Sequence, residues 1–282
     1  MKRKIEFATI VEAVKKCCIE GTKVLPQDVY LKLEEAEKNE TNSLAKNFLH
    51  QCILNADIAR NEAMPICQDT GFAVYFVEIG QDVEIIGGTL TEAINEGTRQ
   101  GYKKGYLRKS IVTDPLFERK NTQDNTPAVI HYDLIAGDKL KITFAPKGGG
   151  SENMSGVKML KPSDGRAGVV DFVVNTVVNA SGNPCPPTIV GVGIGGTFEK
   201  CAFLAKKALL RKVGEKNPNP LYAELEEEIL NKINQSQVGP QGLGGDTTAL
   251  AVHIEYYPCH IASMPLAVNL NCHAARHYEV EL

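Results

Sequence analysis

Thr188-Ile189-Val190-Gly191-Val192-Gly193-Ile194-Gly195-Gly196 decides the fold class of this chain. Its first six residues read as a strand. Immediately upstream, a helix is expected from Arg166 to Ala180, stopped by Gly182-Asn183-Pro184, and immediately downstream another runs near Glu199 to Lys212. Helix, strand and helix in succession mark a mixed α/β architecture. The glycines at 191, 193 and 196 also satisfy the dinucleotide-binding pattern between a strand and a helix. That use requires a second strand ending in an acidic residue roughly twenty positions on. Here the helix runs instead into Gly214-Glu215-Lys216-Asn217-Pro218, which has no apolar strand, so a nucleotide-binding oxidoreductase is a weak reading. The same glycines suit a helix N-terminus that approaches an anion or a metal group.

Working outward, the first sixty residues read as helical. Phe7, Ile10, Val11, Val14 and Cys18 recur at helical spacing, a second stripe runs through Leu44, Phe48, Cys52, Ile53 and Ile58, and a shorter helix spans Asp28 to Glu37. Pro65 breaks the pattern, and Phe72 to Ile79 reads as a mostly buried strand. Thr91 to Lys104 is helical again. Ala128 to Ile135 and Lys139 to Phe144 are expected to form a hairpin around Ala136-Gly137-Asp138. Asn217-Pro218-Asn219-Pro220 precedes a charged helix from Leu221 to Asn234, and Thr247 to Tyr256 is strand-like. The expectation is a mixed α+β chain, helix-rich at its N-terminus, then mixed sheets flanked by helices.

The chain has 282 residues, 43% hydrophobic and 23% charged, enough for one large or two modest domains. With 31 basic against 34 acidic residues, no global field attracts nucleic acid or an anionic membrane, so an anionic substrate must be held by local charges. No stretch approaches the roughly 18 apolar residues of a membrane span. The start, Met1-Lys2-Arg3-Lys4-Ile5-Glu6-Phe7, lacks a signal-peptide core, and the expected location is cytoplasmic. Eight cysteines in such a chain favour reduced thiols or metal ligation over a disulfide framework.

Those cysteines fall into two kinds. Cys17, Cys18, Cys52 and Cys201 lie on amphipathic helices and read as small buried hydrophobes. Cys67, Cys185 and Cys272 lie in polar, turn-forming segments, Pro65-Ile66-Cys67-Gln68-Asp69-Thr70-Gly71, Gly182-Asn183-Pro184-Cys185-Pro186-Pro187 and Asn269-Leu270-Asn271-Cys272-His273. Three separated thiolates suggest an incompletely ligated iron–sulfur cluster, whose fourth iron stays open to a substrate oxygen. Zinc competes, because His273 and His277 stand near Cys272 and His260 adjoins Cys259. Neither a close Cys-x-x-Cys pair nor a ferredoxin run is present, so spacing alone does not choose the metal. His50, His131 and His253 fit structural roles, whereas His260, His273 and His277 concentrate near cysteines and Arg276. Asp69 caps the following turn or, beside a polarised substrate, moves a proton. Gly148-Gly149-Gly150 suits close approach of backbone N–H groups to a ligand, with a flexible loop as the bland alternative.

These motifs, with Lys147-Gly148-Gly149-Gly150-Ser151-Glu152-Asn153, Gly239-Pro240-Gln241-Gly242-Leu243-Gly244-Gly245 and Cys259-His260-Ile261-Ala262-Ser263-Met264-Pro265, resemble the α subunit of iron–sulfur (class I) fumarate hydratase and of the related L-tartrate dehydratase. The resemblance covers nearly the whole chain. It implies one fumarase α-subunit domain over residues 1–282, with a helical portion over residues 1–62, built like the N-terminal domain of iron–sulfur fumarases. It implies an oxygen-sensitive [4Fe-4S] cluster on Cys67, Cys185 and Cys272. It also implies substrate contacts from Gln68, Asp69, Arg108, the backbone of Gly149 and Gly150, and His260. Asp69 is expected to assist a threonine base that lies in the family's other domain. Because the sequence stops at Leu282, that domain is expected on a separate β subunit, in an α2β2-like assembly. The implied reaction is reversible hydration of fumarate to L-malate, a step of the tricarboxylic acid cycle, with L-tartrate dehydration as the near alternative. A zinc-containing or metal-free structural subunit is the distant one.

Overall fold

Residues 2–282 are described by a computed structural model, in which the chain forms two compact units. The first comprises residues up to Leu25, Ile58–Gly149 and Arg276–Leu282. Its sheet has the order β10 (Tyr278–Glu281), β5 (Leu140–Lys147), β2 (Phe72–Gly80), β4 (Val129–Ile135). Alternation along β2 and β5 sends Ala73, Tyr75, Val77, Leu140, Ile142 and Phe144 to one face. There they pack against Ile10, Val14 and Cys18 of α1 (Phe7–Glu20) and Ile94 and Tyr102 of α4 (Leu90–Lys104). A capping box between Thr89 and Glu92 fixes the start of α4. A parallel pair, β1 (Arg3–Glu6) with β3 (Val83–Ile86), completes the unit.

The expected hairpin of β4 and β5 does not form. Both strands exist, but β2 lies between them, parallel to β4 and antiparallel to β5. The turn at 136–139 instead crosses the end of β2. It accepts Gly80 N–H at Lys139 O (2.8 Å) and Asp82 N–H at Gly137 O (3.0 Å). A Cβ at Gly80 would lie 2.3 Å from Gly137 O, so only glycine admits this crossing.

The second unit comprises Pro26–Asp57 and Gly150–Ala275. Its sheet has the order β6 (Gly156–Leu160), β9 (Met264–Asn271), β7 (Thr188–Gly195), β8 (Ala249–Tyr257). One face, with Val190, Val192, Ile254, Leu266 and Val268, packs against Val173 and Val177 of α6 (Gly165–Ala180) and Ile229 and Ile233 of α8 (Pro220–Gln235). The other face takes α7 (Phe198–Ala208) through Cys201, Ala205 and Ala267. The glycine pattern in β7 is explained here. A Cβ on Gly191 would sit 2.1 Å from Ala205 O, and one on Gly193 2.0 Å from Cys201 O, so these glycines let the α7 backbone lie directly on the strand. The pattern is a packing device and requires no nucleotide.

The mixed α/β class is thus as expected, with β1, β3, β6, β9 and β10 added to the strands read from sequence. Helices α2 (Gln27–Asn39) and α3 (Ser43–Asn61) complete the helical N-terminal portion. Among the described residues, no helix is long and apolar enough to cross a membrane.

Candidate active site

The first unit carries Cys67, Gln68, Asp69, Arg108 and Gly149. The loop between α3 and β2 is pinned at its start by Ile66 N–H, which donates to Thr22 O (3.0 Å). Cys67 and Gln68 then face solvent and Asp69 is half-buried. The Asp69 carboxylate is used twice: Oδ1 accepts from Gly71 N–H (2.9 Å) and Oδ2 from Gly149 N–H (2.9 Å). The turn-capping role is therefore real, and the same side chain reaches the glycine-rich segment, where Gly149 opens the single turn α5 (Gly149–Glu152). Each carboxylate oxygen keeps a further acceptor site. Gly150, exposed, follows in that turn.

Three residues outside the expected set hold this loop from behind. Buried Arg276 donates through Nη2 to Asp69 O (3.0 Å). Buried Tyr102 places its hydroxyl 3.0 Å from both Thr70 O and Gly71 O. Asn125 Nδ2 donates to Gly71 O (3.2 Å). The exposed guanidinium of Arg108 reaches Gln68 Oε1 only at 3.4 Å, a loose contact that leaves its charge available to an anion.

The second unit carries Cys185, Cys272, Gly150 and His260. Cys185 has a left-handed backbone, φ 53°, held by its N–H to Gly182 O (3.0 Å), and its thiol is exposed. Cys185 O accepts from His273 N–H (3.2 Å), with His273 Nδ1 3.1 Å away, so the Cys185 and Cys272 segments are stitched together. Gln241 supports them, donating to Pro186 O from its backbone N–H (2.8 Å) and from Nε2 (2.9 Å). The Gly239–Gly245 motif thus serves as the floor of the Cys185 turn. His260 is exposed, and its Nδ1 accepts from Ala262 N–H (3.1 Å).

None of the eight cysteines is in a disulfide, and their burial sorts them. Burial pushes Cys17 and Cys18 up to about 12, raises Cys201, and raises Cys52 to about 11, there with the charges of Cys272 and Cys185 adding to it. Cys52 is thus a buried neighbour of two of the chosen thiols. Cys67 and Cys185 are exposed and Cys272 is half-buried. Cys259 is exposed too, but its Sγ–H is turned to Ser263 O (3.2 Å). Among the described residues, no group of three His, Cys, Asp or Glu side chains converges around a single metal ion. Cys67 of the first unit and Cys185 and Cys272 of the second are soft donors on loops, of the ligand type an iron–sulfur cluster takes and distinct from the inert buried set.

The structural histidines behave as expected. His253 is buried, its Nδ1 is 3.2 Å from Ala208 O, and burial, with Arg211 second, lowers it to about 4. His131 stacks on Phe76 at 5.1 Å and His50 pairs with Glu37. Asn125 and Tyr102 carried no usable sequence signal, since each is defined by partners far along the chain.

A family profile described as "Fumarate hydratase (Fumerase)" matches residues 11–281. A Methanocaldococcus jannaschii protein named "Putative L(+)-tartrate dehydratase subunit alpha" is 45% identical over 258 residues, covering 89% of this chain and 90% of its own. The "L(+)-tartrate dehydratase subunit alpha" of Escherichia coli strain K12 is 35% identical over 256 residues, covering 89% of this chain and 84% of its own.

Proposed function

Since the chain belongs to the fumarate hydratase family, whose members are hydro-lyases, we propose that it is the metal-binding α subunit of a fumarate hydratase, interconverting fumarate and L-malate with a β subunit. The match over residues 11–281 is the observation that carries this reading. Cys67, Cys185 and Cys272 would hold a [4Fe-4S] cluster, which when bound supplies Lewis acidity toward a substrate oxygen.

The chain's own polar groups then divide the remaining work. Arg108 supplies a fixed positive charge for one substrate carboxylate. The Gly150 backbone N–H, the Gln68 amide and His260 offer hydrogen bonds to the other polar groups of a dicarboxylate, while Gly149, whose N–H is held by Asp69 Oδ2, lets the backbone come close to them. Asp69, oriented by the N–H groups of Gly71 and Gly149, retains acceptor sites for a proton at the reacting carbon's side. The base itself is a threonine of the β subunit, which Asp69 assists. The "subunit alpha" names of the relatives support a heteromer, taken as α2β2 in a reducing, cytoplasmic setting.

L(+)-tartrate dehydration to oxaloacetate is the second reading, favoured by the names of those same relatives. The substrates differ by a hydroxyl, which a site built to hydrogen-bond it discriminates strongly. Co-expression with a β-type partner, anaerobic purification and assays on fumarate, L-malate and L(+)-tartrate test the proposal. Turnover of fumarate and L-malate above tartrate supports it, dominant tartrate dehydration supports the second reading, and an iron-loaded pair inactive on all three overturns both.

A further inference from the structure

Three of the proposed substrate contacts lie on two stretches of loop, one with Gln68 and Asp69 and one with Arg108. Their own side chains meet only at 3.4 Å, too loosely to keep a substrate clamp in register. We propose that Asn125 is the positioning residue that locks these two stretches together, an inference that rests on the reading of Gln68, Asp69 and Arg108 as dicarboxylate contacts.

Asn125 is fully buried and spends the two ends of its amide on the two stretches. Nδ2 donates to Gly71 O (3.2 Å), two residues beyond Asp69, and Oδ1 accepts from Ser110 N–H (2.7 Å), two residues beyond Arg108. The amide orientation is settled by its partners, since a carbonyl only accepts and an N–H only donates. Thr70 Oγ1 adds a parallel tie to Arg108 O (3.2 Å). The backbone of Asn125 is left-handed, φ 61°, a conformation that asparagine tolerates better than most residues.

The segment that carries Asn125 is itself fixed to α4, through Asp124 before it and Ala128 beyond it. Arg99 Nε binds Asp124 Oδ2 (3.0 Å), Asn95 Oδ1 accepts from Ala128 N–H (2.9 Å), and Asp124 Oδ1 accepts from Thr126 N–H (3.0 Å). Asn95, Arg99 and Tyr102 share one helical face at spacings of four and three, and Tyr102 reaches Gly71 O as well. A capped helix therefore acts as the reference from which Asn125 sets the spacing of the two substrate-binding stretches.

The test uses the co-purified complex with Asn125→Gly, which keeps the left-handed backbone, and Asn125→Asp, which keeps an acceptor for Ser110 N–H but has no hydrogen for Gly71 O when ionised. Succinate, a non-reacting dicarboxylate, is titrated by calorimetry and KM is measured from pH 6 to 8. The expected result is a roughly tenfold loss of succinate affinity and a like rise in KM for both variants, the size of one lost buried hydrogen bond, at unchanged iron content. In Asn125→Asp the defect shrinks toward pH 6, where the buried carboxyl takes up a proton and donates to Gly71 O again, while in Asn125→Gly it does not. Succinate affinity and KM within twofold of wild type in both variants overturns the proposal. If both variants misfold, Tyr102→Phe, which keeps the buried ring and removes the second donor to Gly71 O, decides: a severalfold rise in KM supports the anchor and none refutes it. A wild-type complex that neither binds succinate nor turns over any substrate refutes the proposed function instead. The tie itself is then read from hydrogen exchange, which Asn125→Gly must accelerate in both segments 68–71 and 108–111, and an unchanged rate in either refutes it.

Discussion

Asp69 is the residue whose dual use is most sharply testable. Its carboxylate accepts two backbone N–H groups at 2.9 Å each, from Gly71 and Gly149, and loses both in Asp69→Ala. A hydrogen bond to a charged group contributes about 1.5–3 kcal/mol. Asp69 is half-buried, which puts each bond near the lower end, so Asp69→Ala is expected to cost about 3 kcal/mol. Asp69→Asn keeps one acceptor and turns an NH2 donor toward the other N–H, so its cost is about 2 kcal/mol. For a chain of this size about 1 kcal/mol shifts the melting temperature by roughly 2–4 °C, giving drops of about 9 °C and 6 °C by differential scanning fluorimetry. Stability and activity should separate. If Asp69 also holds a proton during turnover, Asp69→Asn loses about a hundredfold or more in kcat per iron-loaded site, although much of the loop geometry survives. A melting temperature of Asp69→Ala within 1 °C of wild type would refute the bracing role. A kcat of Asp69→Asn within tenfold would refute the proton role.

Two further outcomes follow from the geometry. Arg108→Lys removes the planar fork but keeps the charge, and should raise KM for the dicarboxylate about tenfold with kcat nearly unchanged; a kcat loss with constant KM would contradict its assignment to carboxylate binding. His253 falls from an ordinary 6.5 to about 4 in the folded protein, so the unfolded chain binds the extra proton between those values. Stability therefore rises with pH through this window and is lost as pH falls from about 6.5 toward 4, by up to about 3 kcal/mol for this residue. Urea unfolding of wild type and His253→Gln at pH 7 and pH 5 measures it, and an equal pH dependence in both would exclude His253 as its source.

What could be seen in the sequence was what is local. The strands Phe72–Gly80 and Thr188–Gly195 and the helices α4, α6 and α8 announce themselves by apolar spacing and by glycine or proline at their ends. The separation of loop thiols from helical ones also follows from neighbours alone, and the helical four are buried while Cys67 and Cys185 are exposed and Cys272 is half-buried. The hairpin error has the opposite origin. Two strands joined by Ala136-Gly137-Asp138-Lys139 satisfy every local rule, and only the non-local insertion of β2 separates them. Likewise β6 and β10 are short segments made into strands by β9 and β5. The supporting roles of Asn125, Tyr102, Arg276 and Gln241 are illegible for the same reason, although Gln241 and Arg276 lie in or beside segments that the sequence marks. Each acts on a backbone carbonyl 31 to 207 positions away, and no local pattern marks that.

Everything proposed for the chemistry depends on Cys67, Cys185 and Cys272 holding an iron–sulfur cluster with one open iron. Mössbauer spectroscopy, with iron and sulfide analysis, on the anaerobically purified protein co-expressed with a β-type partner decides this. The expected result is about four irons per α chain, one of them shifted on adding dicarboxylate, and loss of the signal in Cys67→Ser, Cys185→Ser and Cys272→Ser but not in Cys201→Ser. Stoichiometric zinc in place of iron, or a cluster that survives all three substitutions, would contradict it.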